Sequence, residues 1–234
     1  MEPTREPKDR GQSCGNYVPC PVFLSLAGRP VVVVGGGSVA VRKVRMLLYH
    51  GARVTMVAPA AAEELRGLAA AGRITRRQRG WRPEDCDGAV LVVAATSDAQ
   101  VNHAIASRCR ARGQFVNVGD DRADSTAIIP ATVRRGPFQI AVSTDGASPL
   151  LARSVREELE ALYPSYYEDY VLLLGDVRKL VRSRAGGGAV ARRGLYAALE
   201  ADERLLEDAR SGRLPTAEEA YMRIIEPLLR GEAQ

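Results

Sequence analysis

The stretch that most restricts this chain runs from Val31 to Pro59, VVVVGGGSVAVRKVRMLLYHGARVTMVAP. Val31 to Val34 are β-branched and continuously apolar, as in a short strand covered on both faces. Over Ser38 to His50, Val39, Val44, Leu47 and Leu48 are spaced among Arg42, Lys43 and Arg45, which fits a helix with one buried face. Gly51 stands where such a helix stops, and Arg53 to Val57 reads as a second strand. Strand, turn, helix and strand make a βαβ unit. Its turn carries Gly35-x-Gly37-x-x-Ala40. Gly35 permits the tight turn, Gly37 lets the backbone approach a pyrophosphate, and Ala40 lets the helix pack close to the strand. The helix N-terminus offers free N–H groups and a positive dipole end to phosphates. Between a strand and a helix, this spacing is the dinucleotide fingerprint. The acidic side chain that ordinarily binds the ribose of NAD would fall in Val57-Ala58-Pro59, where there is none, and no arginine follows at once. The turn therefore supports a dinucleotide without choosing NAD over NADP, and Ala58 and Pro59 are the candidates to flank it.

Further along, Ala60 to Gly72 reads as an alanine-rich helix, Arg73 to Gln78 as a short strand and Trp81 to Asp87 as a turn-rich link. Ala89 to Ala94 is a buried strand, Ser97 to Arg112 a helix capped by Ser97 or Asp98, and Gln114 to Val118 the next strand. Alternation of this kind predicts an α/β fold, a Rossmann-like doubly wound parallel sheet whose ligands bind beyond the strand C-termini. Those ends carry Gly35 to Gly37, Ala95-Thr96 and Asn117 to Asp120. Then the pattern changes. Thr126 to Thr144 reads as two β segments around Arg135-Gly136-Pro137, and Ser148 caps a helix that has Pro149 at its first position. A hairpin and one helix bury little alone, so this small α+β segment is expected to pair with a second copy in a homodimer. The chain after Ser165 is helical in character. The expected organisation is a disordered leader over 1–17, a dinucleotide-binding domain over 18–125, a dimerisation segment over 126–164 and a helical C-terminal region over 165–234.

A formal charge of +5 and a pI near 9.2 suit an anionic partner. Only three Phe and one Trp are present, without basic–aromatic interleaving, which disfavours nucleic acid and leaves a small polyanion. Cys14, Cys20, Cys86 and Cys109 are scattered, so no zinc site is expected. Met1 to Gly15 lacks the apolar core of a signal peptide, and no apolar run is long enough to span a membrane. A reduced, cytoplasmic protein is expected. His50 ends a helix and His103 lies within one; both read as structural.

The polar candidates cluster at the sheet edge. Asp120 follows the strand end in Asn117-Val118-Gly119-Asp120-Asp121, where a carboxylate can accept a proton from a substrate. Thr96 can hydrogen-bond a ribose or a nicotinamide amide, and Asn117 and Asn102 are candidate pocket groups. In the second region, Ser143 and Thr144 open a small-residue loop before a helix that carries Arg153 and Arg156 on one face. That arrangement suits a carboxylate or a phosphate.

The order of these motifs closely resembles the precorrin-2 dehydrogenase family, the N-terminal half of siroheme synthase and its stand-alone relatives. The likeness rests on VVVVGGGSVAVRKV, LVVAATSDAQVN, FVNVGDD and FQIAVSTDGASPLLARSVREELE, and covers roughly Val18 to Arg182. It implies NAD-dependent oxidation of precorrin-2 to sirohydrochlorin by a homodimer; some members also insert Fe2+, as a substrate, to give siroheme. It matches the family's functional aspartate to Asp120 and its phosphate-binding turn to Gly35, Gly36, Gly37, Ser38 and Val39. The family lacks the acidic ribose residue too. A serine phosphorylated in one branch corresponds to Thr144, and the tail after Glu160 is too short for the methyltransferase half. The basic residues Arg134, Arg135, Arg153 and Arg156 suit the carboxylate arms of precorrin-2. Two other classes fit the same residues: an NAD(P)-dependent oxidoreductase of a small acidic substrate, and a non-enzymatic NAD-sensing module.

Overall fold

The computed structural model describes residues 18–119, 121–186 and 188–231. The expected leader over 1–17 and the candidate catalytic residue Asp120 lie outside the described residues. Two compact units divide between Ile129 and Pro130.

The first unit follows the βαβ reading. Its elements are β1 (Pro30–Val34), α1 (Ser38–Tyr49), β2 (Arg53–Val57), α2 (Glu63–Ala70), β3 (Thr75–Arg77), β4 (Leu91–Ala94), α3 (Ala99–Ala111) and β5 (Phe115–Val118). A short 3-10 turn, Pro83–Cys86, sits before β4. The five strands are parallel in the order β3-β2-β1-β4-β5, so the strand order reverses between β1 and β4. Register aligns the C-terminal ends: Val34 sits opposite both Val57 and Ala94, and Ala94 opposite Val118.

Alternate strand residues feed two cores. Val31, Val33, Met56 and Val93 pack with Ala40, Val44 and Leu47 of α1 and Leu65 of α2. Val32, Val34, Val57, Val92 and Val116 pack with Ile105, Ala106 and Cys109 of α3. Coverage on both faces explains the unbroken valine run, each fully buried valine contributing about 1.5–3 kcal/mol over an exposed one. Gly51 takes φ +72° directly after α1, and Asp98 caps α3 by accepting the Gln100 and Val101 amides. The helix expected from Ala60 begins instead at Glu63. The Ala62 amide is held by the Gly36 carbonyl at 2.8 Å, and the Ala60 backbone lies against Gly36, so these residues serve the turn. Thr126 and Ala127 both donate their amides to Val116.

The second unit begins with the antiparallel hairpin β6 (Ala131–Arg135) and β7 (Phe138–Val142), followed by α4 (Pro149–Leu162) and α5 (Tyr167–Arg184). The helices α6 (Ala189–Glu200), α7 (Glu203–Arg210), α8 (Ala217–Ala220) and α9 (Glu226–Arg230) complete it, with a π-helical turn at Tyr221–Ile225. Tyr170, Leu173, Val177 and Val181 of α5 centre a core with Leu199, Leu205 and Ile225. Arg135 closes the C-terminal end of α4 by donating to the carbonyls of Tyr163 at 2.7 Å and Glu160 at 3.1 Å. Its charge is thus placed on a helix terminus, where sequence reasoning had it for polyanion binding. Leu150, Leu151 and Leu162 on α4 are 80%, 55% and 67% exposed. No helix among the described residues is long and apolar enough to cross a membrane.

Candidate dinucleotide site

The N-terminus of α1 opens at the sheet's reversal point, the place where open α/β sheets bind ligands. The Val41 amide is the first to find an intrahelical partner, the Gly37 carbonyl at 3.1 Å, and no side chain caps the preceding donors. Gly35 and Gly37 do different work. Gly35 has φ +123°, and a Cβ there would sit 2.2 Å from the Ala95 carbonyl oxygen, so only glycine lets β1 turn beneath β4. A Cβ on Gly37 would meet nothing within 4 Å. Its missing side chain leaves open space directly over the uncapped helix end, as a pyrophosphate requires.

That space belongs to a cavity of 550 Å³ lined by Gly35, Gly36, Gly37, Ser38, Val39, Ala58, Pro59 and Thr96, among others. All eight are site residues read from the sequence. Ala60, Gly80 and Trp81 also line it and were missed, because a turn-rich link says nothing about which sheet edge it will lean on. A second cavity of 320 Å³ shares Val39, Ala95 and Thr96 and adds Asn102, Val118, Gly119, Asp121 and Asp124. Both volumes fit small-ligand sites. Gly119 and Asp121, the chain neighbours of Asp120, line the smaller cavity.

Thr96 is fixed by Asn102. Its hydroxyl lies 2.8 Å from Asn102 Oδ1, and Asn102 Nδ2 donates to its carbonyl at 3.1 Å. Asn117 stands apart: it is buried, donates Nδ2 to the Ala127 carbonyl at 3.0 Å, and lines neither cavity. Asp124 is held by His103 Nδ1 at 2.7 Å and Arg110 at 3.0 Å. Burial alone would raise its pKa, but those two bonds outweigh it and keep the carboxyl below the usual range. His103 thus supports a cavity wall.

In the second unit, Ser143 and Thr144 turn inward on their own loop. Ser143 Oγ accepts the Asp145 amide, and Thr144 Oγ1 accepts the Ser148 amide. Arg153 is paired with Glu157, and Arg156 with Glu157 and Glu160. The i,i+4 spacing of those glutamates was the available signal. Cys20, Cys86 and Cys109 are free thiols, and no cluster of three metal-ligating side chains occurs among the described residues.

A five-stranded parallel sheet with an uncapped glycine turn at its reversal point defines a Rossmann-class dinucleotide-binding protein. Comparison with known proteins narrows the class. Residues 22–131 match a family model described as "Putative NAD(P)-binding", and residues 135–162 one described as "Sirohaem biosynthesis protein central". The solved structure of SirC, precorrin-2 dehydrogenase, superposes with a TM-score of 0.70 at 30% identity, covering 87% of this chain and 98% of that one. Siroheme synthase 1 of Aeromonas hydrophila subsp. hydrophila is 38% identical over 205 residues, 88% of this chain and 44% of the relative. Siroheme synthase of Chromobacterium violaceum is 43% identical over 164 residues, 70% of this chain and 35% of the relative. The chain spans less than half the length of these curated relatives. It belongs to the siroheme synthase and precorrin-2 dehydrogenase family.

Proposed function

We propose that this chain is an NAD-dependent precorrin-2 dehydrogenase, forming sirohydrochlorin on the route to siroheme. The observation that carries this reading is the uncapped N-terminus of α1 opening into the 550 Å³ cavity at the sheet's reversal point. The donors of Gly37, Ser38 and Val39 hold the pyrophosphate, Ala58 and Pro59 flank the adenosine ribose, and Thr96, held by Asn102, borders the nicotinamide half. NAD supplies the hydride acceptor when bound. The chain's own part is to position the macrocycle and take the proton released with the hydride. Asp120 is the residue assigned to that proton, by its place after β5 and its match to the family's aspartate. Fe2+ insertion, where it occurs, uses iron as a substrate and the same carboxylate to assist removal of the pyrrole protons. Arg153 and Arg156 receive carboxylate arms of the substrate. The exposed leucines of α4 support a homodimer, which light scattering would report at twice the 25.2 kDa chain mass.

The test is anaerobic incubation with precorrin-2, with and without NAD+, followed by absorbance, then repeated with Fe2+. NAD+-dependent formation of sirohydrochlorin is expected. Asp120→Asn should lower kcat by about 10²–10⁴-fold with NAD+ affinity intact. Full activity in that variant removes Asp120 from the mechanism, and absence of oxidation in the wild type removes the reading.

A further inference from the structure

The larger cavity has two chemically different walls. On the side of α1 and β4 it is lined by Ser38, Thr96, Ser97 and Asp98, which carry hydroxyls and a carboxylate. On the side of β2 and β3 it is lined by Ala58, Pro59, Ala60, Gly80 and Trp81. The one side-chain polar atom among those five, Trp81 Nε1, is buried near the Cys86 thiol. Two backbone groups on that wall are also spent: the Ala58 amide donates to the Arg77 carbonyl at 3.1 Å, and the Gly80 carbonyl accepts Arg79 Nη1 at 3.0 Å. Strand order says which half of a dinucleotide meets this wall. β2 and β3 lie across β1 from β4, so with the pyrophosphate at α1 and the nicotinamide at Thr96, the adenine falls between Pro59 and Trp81.

Trp81 is half-buried and packs against the core cluster that contains Cys86 and Val92. The residues on either side of it are pinned to Asp85, whose side chain is fully buried. Before Trp81, Arg79 forks onto the carboxylate, Nη1 to Oδ2 and Nη2 to Oδ1, each at 2.7 Å. After it, the Arg82 amide donates to Oδ2 at 2.9 Å. Arg77 adds its Nη1, which ties the same carboxylate to the end of β3. The indole is therefore held in place before a ligand arrives, so little ordering remains to be done on binding.

We propose that Trp81 is the base platform of this site: the adenine is held by stacking on the indole and not by hydrogen bonds to its edge, so the site accepts dinucleotides whose base edge is altered. This rests on the reading of the larger cavity as a dinucleotide site. Every base has a π-face, and loss of an aromatic platform weakens binding about ten- to a hundredfold. Discrimination between bases needs donors and acceptors aimed at the base edge, and this wall presents no such side chain.

Trp81 is the only tryptophan in the chain, so its fluorescence reads the contact directly. NAD+ and ADP-ribose should quench it, whereas nicotinamide mononucleotide, which has no adenine, should not. Calorimetry should give Kd values within about threefold for NAD+, its hypoxanthine analogue, in which the exocyclic amino donor becomes a carbonyl acceptor, and its 1,N6-etheno analogue, in which that edge is blocked. Trp81→Ala should weaken NAD+ and ADP-ribose about thirtyfold. Trp81→Phe, which keeps a π-face, should recover most of the loss, and Trp81→Leu, which only fills space, should not. NAD+ binding without a change in Trp81 fluorescence, or with either analogue more than tenfold weaker, overturns the platform and leaves the dinucleotide reading standing. Equal rescue by Phe and Leu makes Trp81 a packing residue and likewise overturns the platform. Binding of neither NAD+ nor its analogues overturns both. Should the Trp81 variants fail to fold, the wild-type series decides.

Discussion

Two strands in this chain run into a helix through a loop of small residues, and the two junctions treat the helix end in opposite ways. After β1, Gly35 to Gly37 lead into α1 with no side chain capping its first amides. After β7, Ser143 to Ser148 lead into α4 with a serine oxygen at its N-cap. Ser148 Oγ accepts the Leu151 amide at 3.2 Å, Thr144 Oγ1 accepts the Ser148 amide at 3.1 Å, and Pro149 has no N–H to satisfy. In sequence both look like anion cradles. What separates them is an oxygen at the N-cap. A side-chain acceptor there takes the donors that a ligand would need, whereas a glycine leaves them free and the space above them open.

The glycine junction can be broken in two distinguishable ways. Gly35→Ala places a Cβ 2.2 Å from the Ala95 carbonyl on a backbone at φ +123°, so folded protein should be lost. At Gly37 an added Cβ meets no other protein atom within 4 Å, so Gly37→Val is expected to fold. Circular dichroism should stay native while calorimetry shows NAD+ affinity collapsing, because the new side chain fills the ligand's place. Unchanged affinity in folded Gly37→Val would remove the turn from cofactor binding.

The glycine turn is held from outside itself. The Gly35 amide donates to Val57 at 3.0 Å, and the Gly36 carbonyl accepts from Ala62 at 2.8 Å. The end of β2 leans in turn on β3, which Asp85 pins through Arg77 and Arg79. Hydrogen bonding from Arg79, the Arg82 amide and Arg77 outweighs burial and holds the Asp85 carboxyl down at about 2, from 3.8. Its contribution is therefore complete above about pH 4 and disappears as pH falls toward 2, a loss of about 2 kcal/mol. Trp81, the only tryptophan, lines the cavity and reports on this corner. Acid unfolding followed by its fluorescence should show that decline in the wild type and a flatter acid limb in Asp85→Asn. Equal limbs would mean that other carboxylates govern the transition.

The comparison also changes what to expect of the arginines on α4. Arg153 and Arg156 already hold Glu157 and Glu160, so they are not free charges awaiting a ligand. Exposed pairs of this kind are worth only about 0.2–1 kcal/mol and can be displaced. Arg153→Ala and Arg156→Ala should raise KM for precorrin-2 several-fold, the effect shrinking with salt, while Glu157→Gln lowers it by releasing Arg153 and leaving Arg156 with Glu160 alone. No change in KM in any of the three leaves them as a solvated helix face.

Much of the first unit was legible because local and tertiary demands agree there. The valine run, the turn, a cap at Ser97 or Asp98 and Gly51 as a stop each follow from local chemistry, whereas the reversal point depends on the strand order that only the structure supplies. The legible part ended where a distant backbone decides. Ala60 to Ala62 have good helix propensity, yet Gly36 draws them into a loop. Asn117 has pocket-like chemistry, yet the Ala127 carbonyl takes its amide. Trp81 and Gly80 gave no local sign that they would face the cavity. At the serine loop the information was present, in the i,i+4 glutamates and in Ser148 with Pro149 after it.

Ser148→Ala is the smallest expected change and bears most directly on the difference between the two junctions. If Ser148 is what closes the α4 N-terminus, its loss exposes the Leu151 amide and should cost about 1 kcal/mol, the usual value of an N-cap. Helix α4 packs on the hairpin, so the cost should appear as a lower midpoint in denaturant with little change in slope. Ser148→Asp, which restores an acceptor, should recover most of it, whereas Ser148→Gly should fall between. The same swap at the other junction has the opposite sign for function. Gly37→Ser adds an oxygen where α1 has none, so it should stabilise the helix slightly and weaken NAD+ binding by competing for the same amides. If Ser148→Ala costs nothing, or Gly37→Ser leaves NAD+ affinity untouched, the N-cap oxygen is not what distinguishes a ligand cradle from a self-satisfied turn in this chain.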